Sequence, residues 1–381
     1  MHESGTTDSP GIKLFTEILQ QCLRLNASDA HISSDRAVSF RVHGDLFHHQ
    51  DQILTLEQVS TVVDELLSPA RRSQYDESGH VDLGYSLKDK SRFRLNVYIE
   101  NGCPAIAARY LDNTFQNLDQ LHLPQQITQL TDLLHGLVLV CGATGSGKST
   151  TLANLVNSIN QNRNCHIITI EDPIEFQHQS EKSLIHQREL GADVQSFSDA
   201  LRASLRQDPD VIMVGEMRDL DTMKAAITAA ETGHLVFSTL HTGDAVGVVE
   251  RLIGSFPGAE QDVARDRIAA SLKAVIAQKL IPIEDGGGRV PAVEILIVTN
   301  GVANLITNGK TAQIYSAMES GRKEGMQTLE QSLLDMVRQH WLSHDQAMSY
   351  CRNHSAMSKL LSSASGAIRG QGRSEARRYG H

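Results

Sequence analysis

Residues 142–149 carry the clearest chemical pattern in the chain, because GATGSGKS matches the spacing G-x-x-x-x-G-K-[ST] of a phosphate-binding loop. The run LVLVC before it reads as a buried strand, and the sequence after it reads as a helix. In such a loop backbone N–H groups approach phosphate closely, the lysine reaches the terminal phosphates and the serine hydroxyl serves Mg²⁺. We predict a nucleotide site with Ser149 as a metal ligand. The residues predicted to bind the nucleotide are Gly142, Ala143, Thr144, Gly145, Ser146, Gly147, Lys148, Ser149 and Thr150.

Three carboxylates follow the next apolar run, in the segment HIITIEDPIEF at 166–176. The carboxyl ends of parallel strands open into the crevice where such sheets bind ligands, and oxygen ligands suit Mg²⁺ or its waters. We therefore predict that Glu171 and Glu175 assist the metal and the chemistry. For any one of these acids, Asp172 included, a surface turn or a helix cap is the alternative, and Pro173 favours a turn.

The segment DVIMVGEMRD at 210–219 ends a buried run with Gly215 and Glu216. Glu216 is the first side chain that can emerge from this strand beside a bound phosphate. Glutamate is one methylene longer than aspartate, so it reaches an attacking water instead of binding the metal directly. We therefore predict that Glu216 is the general base. Arg218 and Asp219 either join the site or form a local ion pair that opens the following helix.

Two histidines flank the last of the central strand-like runs, in ETGHLVFSTLHTGDA at 231–245. A single histidine is most often structural, but two at the edges of a central strand beside a phosphate-binding loop are well placed to sense phosphate. We predict that His241 belongs to the catalytic site and that His234 contacts the nucleotide. A structural role stays the alternative for each.

The elements that must position these residues fall into two halves. From about 11 to 125 an amphipathic helix precedes the alternating segments VSFRVHGDL, VDLGYSL, RFRLNVYIE and PAIAARYL, which predict a small α+β domain with an antiparallel sheet. Beyond it the continuous apolar runs LVLVC, HIITI, VIMV and HLVFSTL predict parallel strands covered on both faces. Helical segments follow from 319. We predict domains at 1–125 and 126–360 and a disordered tail at 361–381.

Composition narrows the class of protein. The 381 residues have 40% hydrophobic content and a formal net charge of −10, which argues against a general nucleic-acid binder. The five cysteines include no CxxC pair, so neither a disulfide frame nor a zinc site is expected. No run of about 18 apolar residues is present to span a bilayer, and the N-terminus does not read as a secretory signal. We expect a cytoplasmic protein without a transmembrane segment.

Four segments together resemble a known family: GATGSGKSTTLA, IITIEDPIEF, ALRASLRQDPDVIMVGEMRD and AAETGHLVFSTLHTGDA. They are similar to the Walker A, aspartate-box, Walker B and histidine-box motifs of the type II/type IV secretion and pilus ATPases, and most of all to the PilT-like retraction group. The resemblance runs from 27 to 336. It implies an α/β fold with a RecA-like P-loop ATPase domain, a PAS-like N-terminal domain and a helical C-terminal segment.

The same resemblance implies an activity and partners. The expected activity is Mg²⁺-dependent ATP hydrolysis by a homo-hexameric ring that drives type IV pilus retraction. The ring is expected at the inner face of the inner membrane, docked on a platform protein. The net charge of −10 separately predicts that it does not bind nucleic acid stably. Arginines of the N-terminal domain or a neighbouring subunit complete such sites, and Arg94 and Arg109 match the positions used near the phosphates. Arg92 is a third candidate, and for these strand residues a side chain that simply points outward into water is the alternative. Arg202 and Arg206, on the helix before the Walker B motif, are candidates for contact between subunits.

The resemblance also leaves alternatives open. The absence of the tetracysteine motif that extension ATPases usually carry favours the retraction group. However, the stretch that reads Ala-Ile-Arg-Asn-Leu-Ile-Arg in the group is GVANLIT at 301–307 here, with Ala303 and Thr307 at the two arginine positions. The group associates those arginines with productive retraction. A conjugative thin-pilus or type IV secretion ATPase therefore stays open, as do a RecA-like nucleic-acid motor and an assembly factor that scarcely turns over.

Overall fold

The computed structural model describes residues 9–363 apart from 112, 113, 117, 119, 285 and 287. The chain packs as two compact units. The first holds the described residues up to 115 together with 169–179 and 186–200, and the second holds 116–168, 180–185 and the described residues from 201 on. The domain boundary at 125 stays a prediction.

The strands are β1 (Ala27–Ser33), β2 (Ala37–Val42), β3 (Asp45–Ile53), β4 (His80–Ser86), β5 (Arg92–Glu100), β6 (Cys103–Leu111), β7 (Gly136–Cys141), β8 (His166–Glu171), β9 (Leu184–Glu189), β10 (Val211–Val214), β11 (Leu235–Leu240), β12 (Leu272–Pro282) and β13 (Arg289–Ile297). The helices are α1 (Pro10–Arg24), α2 (Leu56–Leu66), α3 (Pro69–Ser78), α4 (Gln125–Thr128), α5 (Lys148–Asn162), α6 (Phe197–Ser204), α7 (Leu220–Glu231), α8 (Ala245–Gly254), α9 (Gln261–Ser271), α10 (Asn300–Thr307), α11 (Ile314–Ser320), α12 (Leu329–Arg338) and α13 (His344–Tyr350).

The first unit is built on an antiparallel sheet in the order β3-β2-β1-β6-β5-β4. Alternation along β5 explains its two faces: Phe93, Leu95 and Val97 are buried, and Arg94 points to the other side. Helix α1 adds Phe15 and its neighbours on the helical repeat to the same core. The prediction of an α+β domain with an antiparallel sheet is confirmed.

The larger sheet has the order β13-β12-β7-β11-β10-β8-β9. Strands β12, β7, β11 and β10 are parallel neighbours, and β13 runs antiparallel on β12 at the edge. Every residue of β7, β10 and β11 is buried, which is why their sequences are continuous apolar runs. The predicted parallel sheet is confirmed, and β12 with β13 is an extension that the sequence patterns did not predict.

Helices after 319 are confirmed, and their starts have a chemical cause. Thr328 caps α12 and Ser343 caps α13, each in a capping box with the glutamine three residues later. Of the predicted tail at 361–381, residues 361–363 belong to a helical stretch at 354–363, and the rest lies outside the described residues. Within the part of the chain that the structure describes, no helix is long and apolar enough to cross a membrane.

Candidate nucleotide-binding site

The phosphate-binding loop joins β7, which ends at Cys141, to α5, which begins at Lys148. The Lys148 side chain is buried, and its Nζ donates to the carbonyl oxygens of Gly142 and Ala143, each at 2.9 Å. The free N–H groups and partial positive charge of the α5 N-terminus stand at the same place. Ser149 and Thr150 lie in the first turn of α5. The predicted loop residues therefore share one edge of the sheet with a cation and a helix N-terminus, a combination suited to phosphate.

Gln278, on β12, fixes the shape of this loop. A Cβ atom at Gly142 would lie 2.3 Å from the Gln278 carbonyl oxygen, and one at Gly147 would lie 2.7 Å from its side-chain nitrogen. Both glycines also have a positive backbone angle φ, which residues with a side chain rarely adopt. Gln278 accepts a 2.8 Å hydrogen bond from the Thr151 hydroxyl. Sequence reasoning missed Gln278, because a glutamine 127 residues from its partner carries no signal in a single sequence.

Glu216 and His241 meet at the carboxyl edge of the same strands. Leu240, the last residue of β11, pairs with Cys141, and Val214 ends β10 beside Ser238. The chain segments that follow these strands therefore leave the sheet on the phosphate-loop side. His241 Nε2 lies 3.0 Å from Glu216 Oε2, and since a carboxylate only accepts, Nε2 carries the proton of this hydrogen bond.

The histidine at this edge is held neutral by its surroundings. Burial, together with the positive charges of Lys148 and Arg218, lowers the pKa of His241 below its ordinary value. The Thr239 hydroxyl donates to the Gly215 carbonyl at 2.6 Å, and this bond fixes the backbone just before Glu216. At neutral pH the pair is therefore a carboxylate accepting from an uncharged imidazole.

Arg218 and Asp219, whose roles the sequence left open, have different functions. The Arg218 guanidinium contacts Glu216 and is 73% exposed. Asp219 is the N-cap of α7 and accepts from the backbone N–H of Thr222 at 2.8 Å. Asp219 thus starts the helix, and Arg218 belongs to the surroundings of the carboxylate.

His234 lies at the other end of β11. Leu235 pairs with Gly136 at the start of β7, so the six residues of the strand, about 20 Å at about 3.3 Å each, separate His234 from the loop. Its Nδ1 contacts the carbonyl oxygen of Ala229 at 3.0 Å and the Thr232 hydroxyl at 3.2 Å. The expectation that His234 contacts the nucleotide is not met within one chain, where it packs on the end of α7.

In the first unit, Glu171 ends β8 as a buried acid. It accepts from the Thr169 hydroxyl at 2.7 Å and from the Gln187 amide at 3.1 Å. Burial, only partly offset by those two bonds, raises the pKa of Glu171 to about 7. Glu175 is half-buried four residues later. A carboxyl group with such a pKa can hold or release a proton near neutrality, and the roles of both acids toward the metal stay predictions.

A buried network in the first unit was missed by sequence reasoning. Glu189 accepts from Arg92 at 2.8 Å and from Arg71 at 3.4 Å, and also from the backbone N–H groups of Ile174 and Gly84. Arg92 in turn donates to the Ile174 carbonyl at 3.0 Å. Arg92, a candidate for contact with phosphate, therefore fixes the turn between Glu171 and Glu175.

The other candidate arginines of the first unit stand side by side. Arg94 on β5 is the direct cross-strand partner of Arg109 on β6. Arg94 is 44% exposed and lies 3.5 Å from Asp82, and Arg109 is 67% exposed and donates to Asp29 at 2.8 Å. Burial favours the neutral form of Asp29, but the hydrogen bonds from Ser28 and Arg109 prevail and lower its pKa. Two adjacent guanidiniums thus reach the surface on one face of the sheet.

The loop edge fits Mg²⁺ brought with a nucleotide. This ion keeps several waters and takes most of its other ligands from substrate phosphates. Ser149, next to Lys148, presents an exposed hydroxyl in the first turn of α5. Among the described residues, no group of three His, Cys, Asp or Glu side chains is placed to hold a metal alone. A hydroxyl beside a phosphate site is the donor that such a shared ion needs.

A parallel sheet with this loop and helix defines a RecA-like P-loop nucleotide-binding protein. The sequence model of the type II/IV secretion system proteins matches residues 4–349, and the chain belongs to that family. It is 44% identical over 331 residues to a twitching motility protein of Neisseria gonorrhoeae, covering 86% of this chain and 88% of the relative. It is 41% identical over 332 residues to the type IV pilus retraction ATPase PilT of Pseudomonas aeruginosa, covering 87% and 96%.

Solved structures agree with these relatives. The crystal structure of the pilus retraction motor PilT with bound ADP matches with a TM-score of 0.83 at 39% identity, covering 90% of this chain and 98% of that one. The Legionella pneumophila ATPase DotB matches with a TM-score of 0.79 at 28% identity, covering 88% and 94%. The predicted family and fold class are confirmed.

Proposed function

We propose that this protein hydrolyses ATP to drive the retraction of a type IV pilus. The observation that carries the proposal is the arrangement of Lys148, Glu216 and His241 at one edge of the parallel sheet. The twitching motility protein and the type IV pilus retraction ATPase, to which the chain is 44% and 41% identical, support the same activity.

The chemistry follows from what each side chain can do. Lys148 and the α5 N-terminus bind the phosphates of ATP. Glu216 orients the attacking water and accepts its proton, since it is a carboxylate at the phosphate edge with one contact on each oxygen. His241 holds the carboxylate by donating from Nε2, and its neutral state adds no positive charge that would bind the carboxylate more tightly.

Mg²⁺ bound with the nucleotide neutralises phosphate charge, and Ser149 is its proposed ligand in this chain. Glu171 and Glu175 remain the acids predicted to assist. We further propose a homo-hexamer in which Arg94 and Arg109 of each subunit serve the site of a neighbour. Their adjacent, exposed guanidiniums support this role, because a planar permanent cation suits the charge of a phosphoryl group in transfer. The ring would work in the cytoplasm, on a platform protein at the inner membrane.

A second candidate function is that of a secretion or conjugative-pilus ATPase. Ala303 and Thr307 lie on α10, where Thr307 is exposed and Ala303 half-buried, so this helix presents no arginine at either position. The match to DotB is the other observation that favours this candidate.

The test is to measure ATP hydrolysis by the purified full-length protein with and without DNA or RNA, and pilus retraction in cells that lack their own retraction ATPase. We expect Mg²⁺-dependent turnover that nucleic acid leaves unchanged, a hexamer by sizing with ATP, and restored retraction. Strong stimulation by nucleic acid would contradict the pilus function. Turnover without restored retraction would favour the second candidate, and an assembled ring without turnover would favour an assembly factor.

A further inference from the structure

Arg352, in the bend after α13, reaches the loop that carries His241. Its guanidinium donates to the Gly243 carbonyl at 3.1 Å and to Glu294 Oε2 at 3.1 Å, and it lies 3.7 Å from Asp244. Gly243 is two residues from His241. One arginine from the C-terminal segment thus bridges the β11–α8 loop and the β13 strand.

The other end of this bridge is firmly held. Glu294 is 1% exposed, and its Oε1 accepts from the backbone N–H of Ala245, the first residue of α8, at 2.7 Å. Asp244 caps the same helix through the Gly247 N–H at 2.6 Å. Burial raises the pKa of Glu294, with the Ala245 N–H and Arg352 acting in the opposite direction, so Arg352 favours the charged carboxylate that the loop contacts.

The backbone of Arg352 is fixed as well. The N–H groups of Arg352 and Asn353 both donate to Glu330 Oε1, at 3.0 and 2.8 Å, and the Tyr315 hydroxyl donates to its Oε2 at 2.6 Å. Glu330 is 1% exposed, on α12. The guanidinium therefore projects from a rigid base, which is what a side chain needs in order to hold another segment in place.

The loop has space at Gly243, where a Cβ atom would meet no atom within 4 Å, and the Gly243 carbonyl accepts from Arg352 at 3.1 Å. His241 must stay 3.0 Å from Glu216 for the hydrogen bond that orients the carboxylate. We infer that Arg352 is a positioning residue for ATP hydrolysis, which holds the 241–245 loop so that His241 orients Glu216. This inference rests on the function proposed for Glu216 and His241.

The test compares Arg352→Gln with Arg338→Gln in the full-length protein. Arg338, on α12, is 54% exposed and contacts Asp335 within its own helix, so it is a matched loss of one surface arginine. We expect Arg352→Gln to lower kcat by about 10-fold with KM changed less than about 2-fold, since a misplaced catalytic group costs rate and spares substrate binding. Arg338→Gln should leave both constants unchanged.

A double-mutant cycle separates positioning from general stability. In a His241→Gln background, Arg352→Gln should cost less than about 2-fold more, because the residue through which it acts is already gone. Arg352→Lys should keep the contact with Glu294, lose the fork that also reaches Gly243, and give an intermediate kcat, which keeps the test usable if Arg352→Gln folds poorly.

Two results overturn the inference alone: an unchanged kcat in Arg352→Gln, or an equal 10-fold loss in the His241→Gln background. A wild-type kcat in His241→Gln by itself refutes the proposed role of His241, and the inference with it.

Discussion

Glu216 and Glu189 are both glutamates paired with arginine, and they differ in how fully their oxygens are used. A carboxylate offers about four lone-pair positions. Glu189 accepts two hydrogen bonds on each oxygen, from Arg71 and Gly84 on one and from Arg92 and Ile174 on the other. Glu216 has one contact on each oxygen among the described residues. A carboxylate with all its acceptor positions filled holds a fold together, whereas one with free positions at a sheet edge is available to water.

The largest expected effect breaks the phosphate edge and leaves the Glu189 network intact. Lys148→Ala removes the cation at the terminal phosphates, so ATP binding should weaken by about 10²-fold, in line with the loss of a charge-assisted hydrogen bond. Turnover should become undetectable. Titration calorimetry measures the affinity for ATP, with Lys224→Ala, which removes a half-buried lysine paired with Glu260, as control. Tight ATP binding by Lys148→Ala would show that the loop does not hold the phosphates.

Breaking the buried network around Glu189 should destabilise the first unit. Glu189→Gln leaves two buried guanidiniums facing a neutral amide, and removing one partner of a buried ion pair costs about 3 to 5 kcal/mol of unfolding free energy. Urea unfolding of the first unit measures the loss of unfolding free energy. A free energy of unfolding within about 0.5 kcal/mol of wild type would mean that the network does not stabilise the unit.

A half-buried histidine in the first unit, whose Nδ1 is buried, should make the stability of that unit depend on pH. Burial lowers the pKa of His178 to about 4, and no described residue pairs with its Nδ1. The unfolded chain takes up this proton at about pH 6.5 and the native chain only near 4, so stability should fall as pH drops through that window, by up to about 3 kcal/mol. His178→Gln should flatten that part of the pH–stability curve. The exposed His135→Gln should leave it unchanged, and equal curves for wild type and His178→Gln would contradict the assignment.

The smallest expected effect concerns His241, whose pKa is lowered by burial, Lys148 and Arg218. The neutral form should persist below pH 6.5, so the protonation of His241 should lower kcat/KM for ATP only below about pH 6.5. His241→Gln should reduce kcat/KM and remove that acid limb. An acid limb centred above pH 6.5 that survives in His241→Gln would belong to another group.

Sequence patterns predicted the parts of the site whose chemistry demands a place after a strand: the loop at 142–149, Glu216 and His241. His234 lies away from the loop within one chain, because residues before a parallel strand lie at the opposite edge from residues after it. Gln278 and Glu189 could not be predicted. Their partners are 127 and 97 residues away, and a single sequence carries no information on which distant residues pair.

The fold, like the site, was predictable only where local sequence patterns decide the structure. Strands with continuous apolar runs, such as β7 and β11, were predictable because burial on both faces leaves no polar positions. The β12 and β13 strands were not predicted. The packing of segments 169–179 and 186–200 in the first unit was not predicted either. Such packing depends on long-range contacts, which local periodicity does not report.

Whether Glu216 accepts the proton of the attacking water is tested by Glu216→Gln. The change keeps the shape of the side chain and removes the proton acceptor. In a single-turnover experiment with the full-length protein, we expect ATP affinity within about 2-fold of wild type and hydrolysis slower by about 10² to 10⁴-fold, the usual contribution of a general base. Hydrolysis by Glu216→Gln at a rate near that of wild type would show that Glu216 is not the proton acceptor.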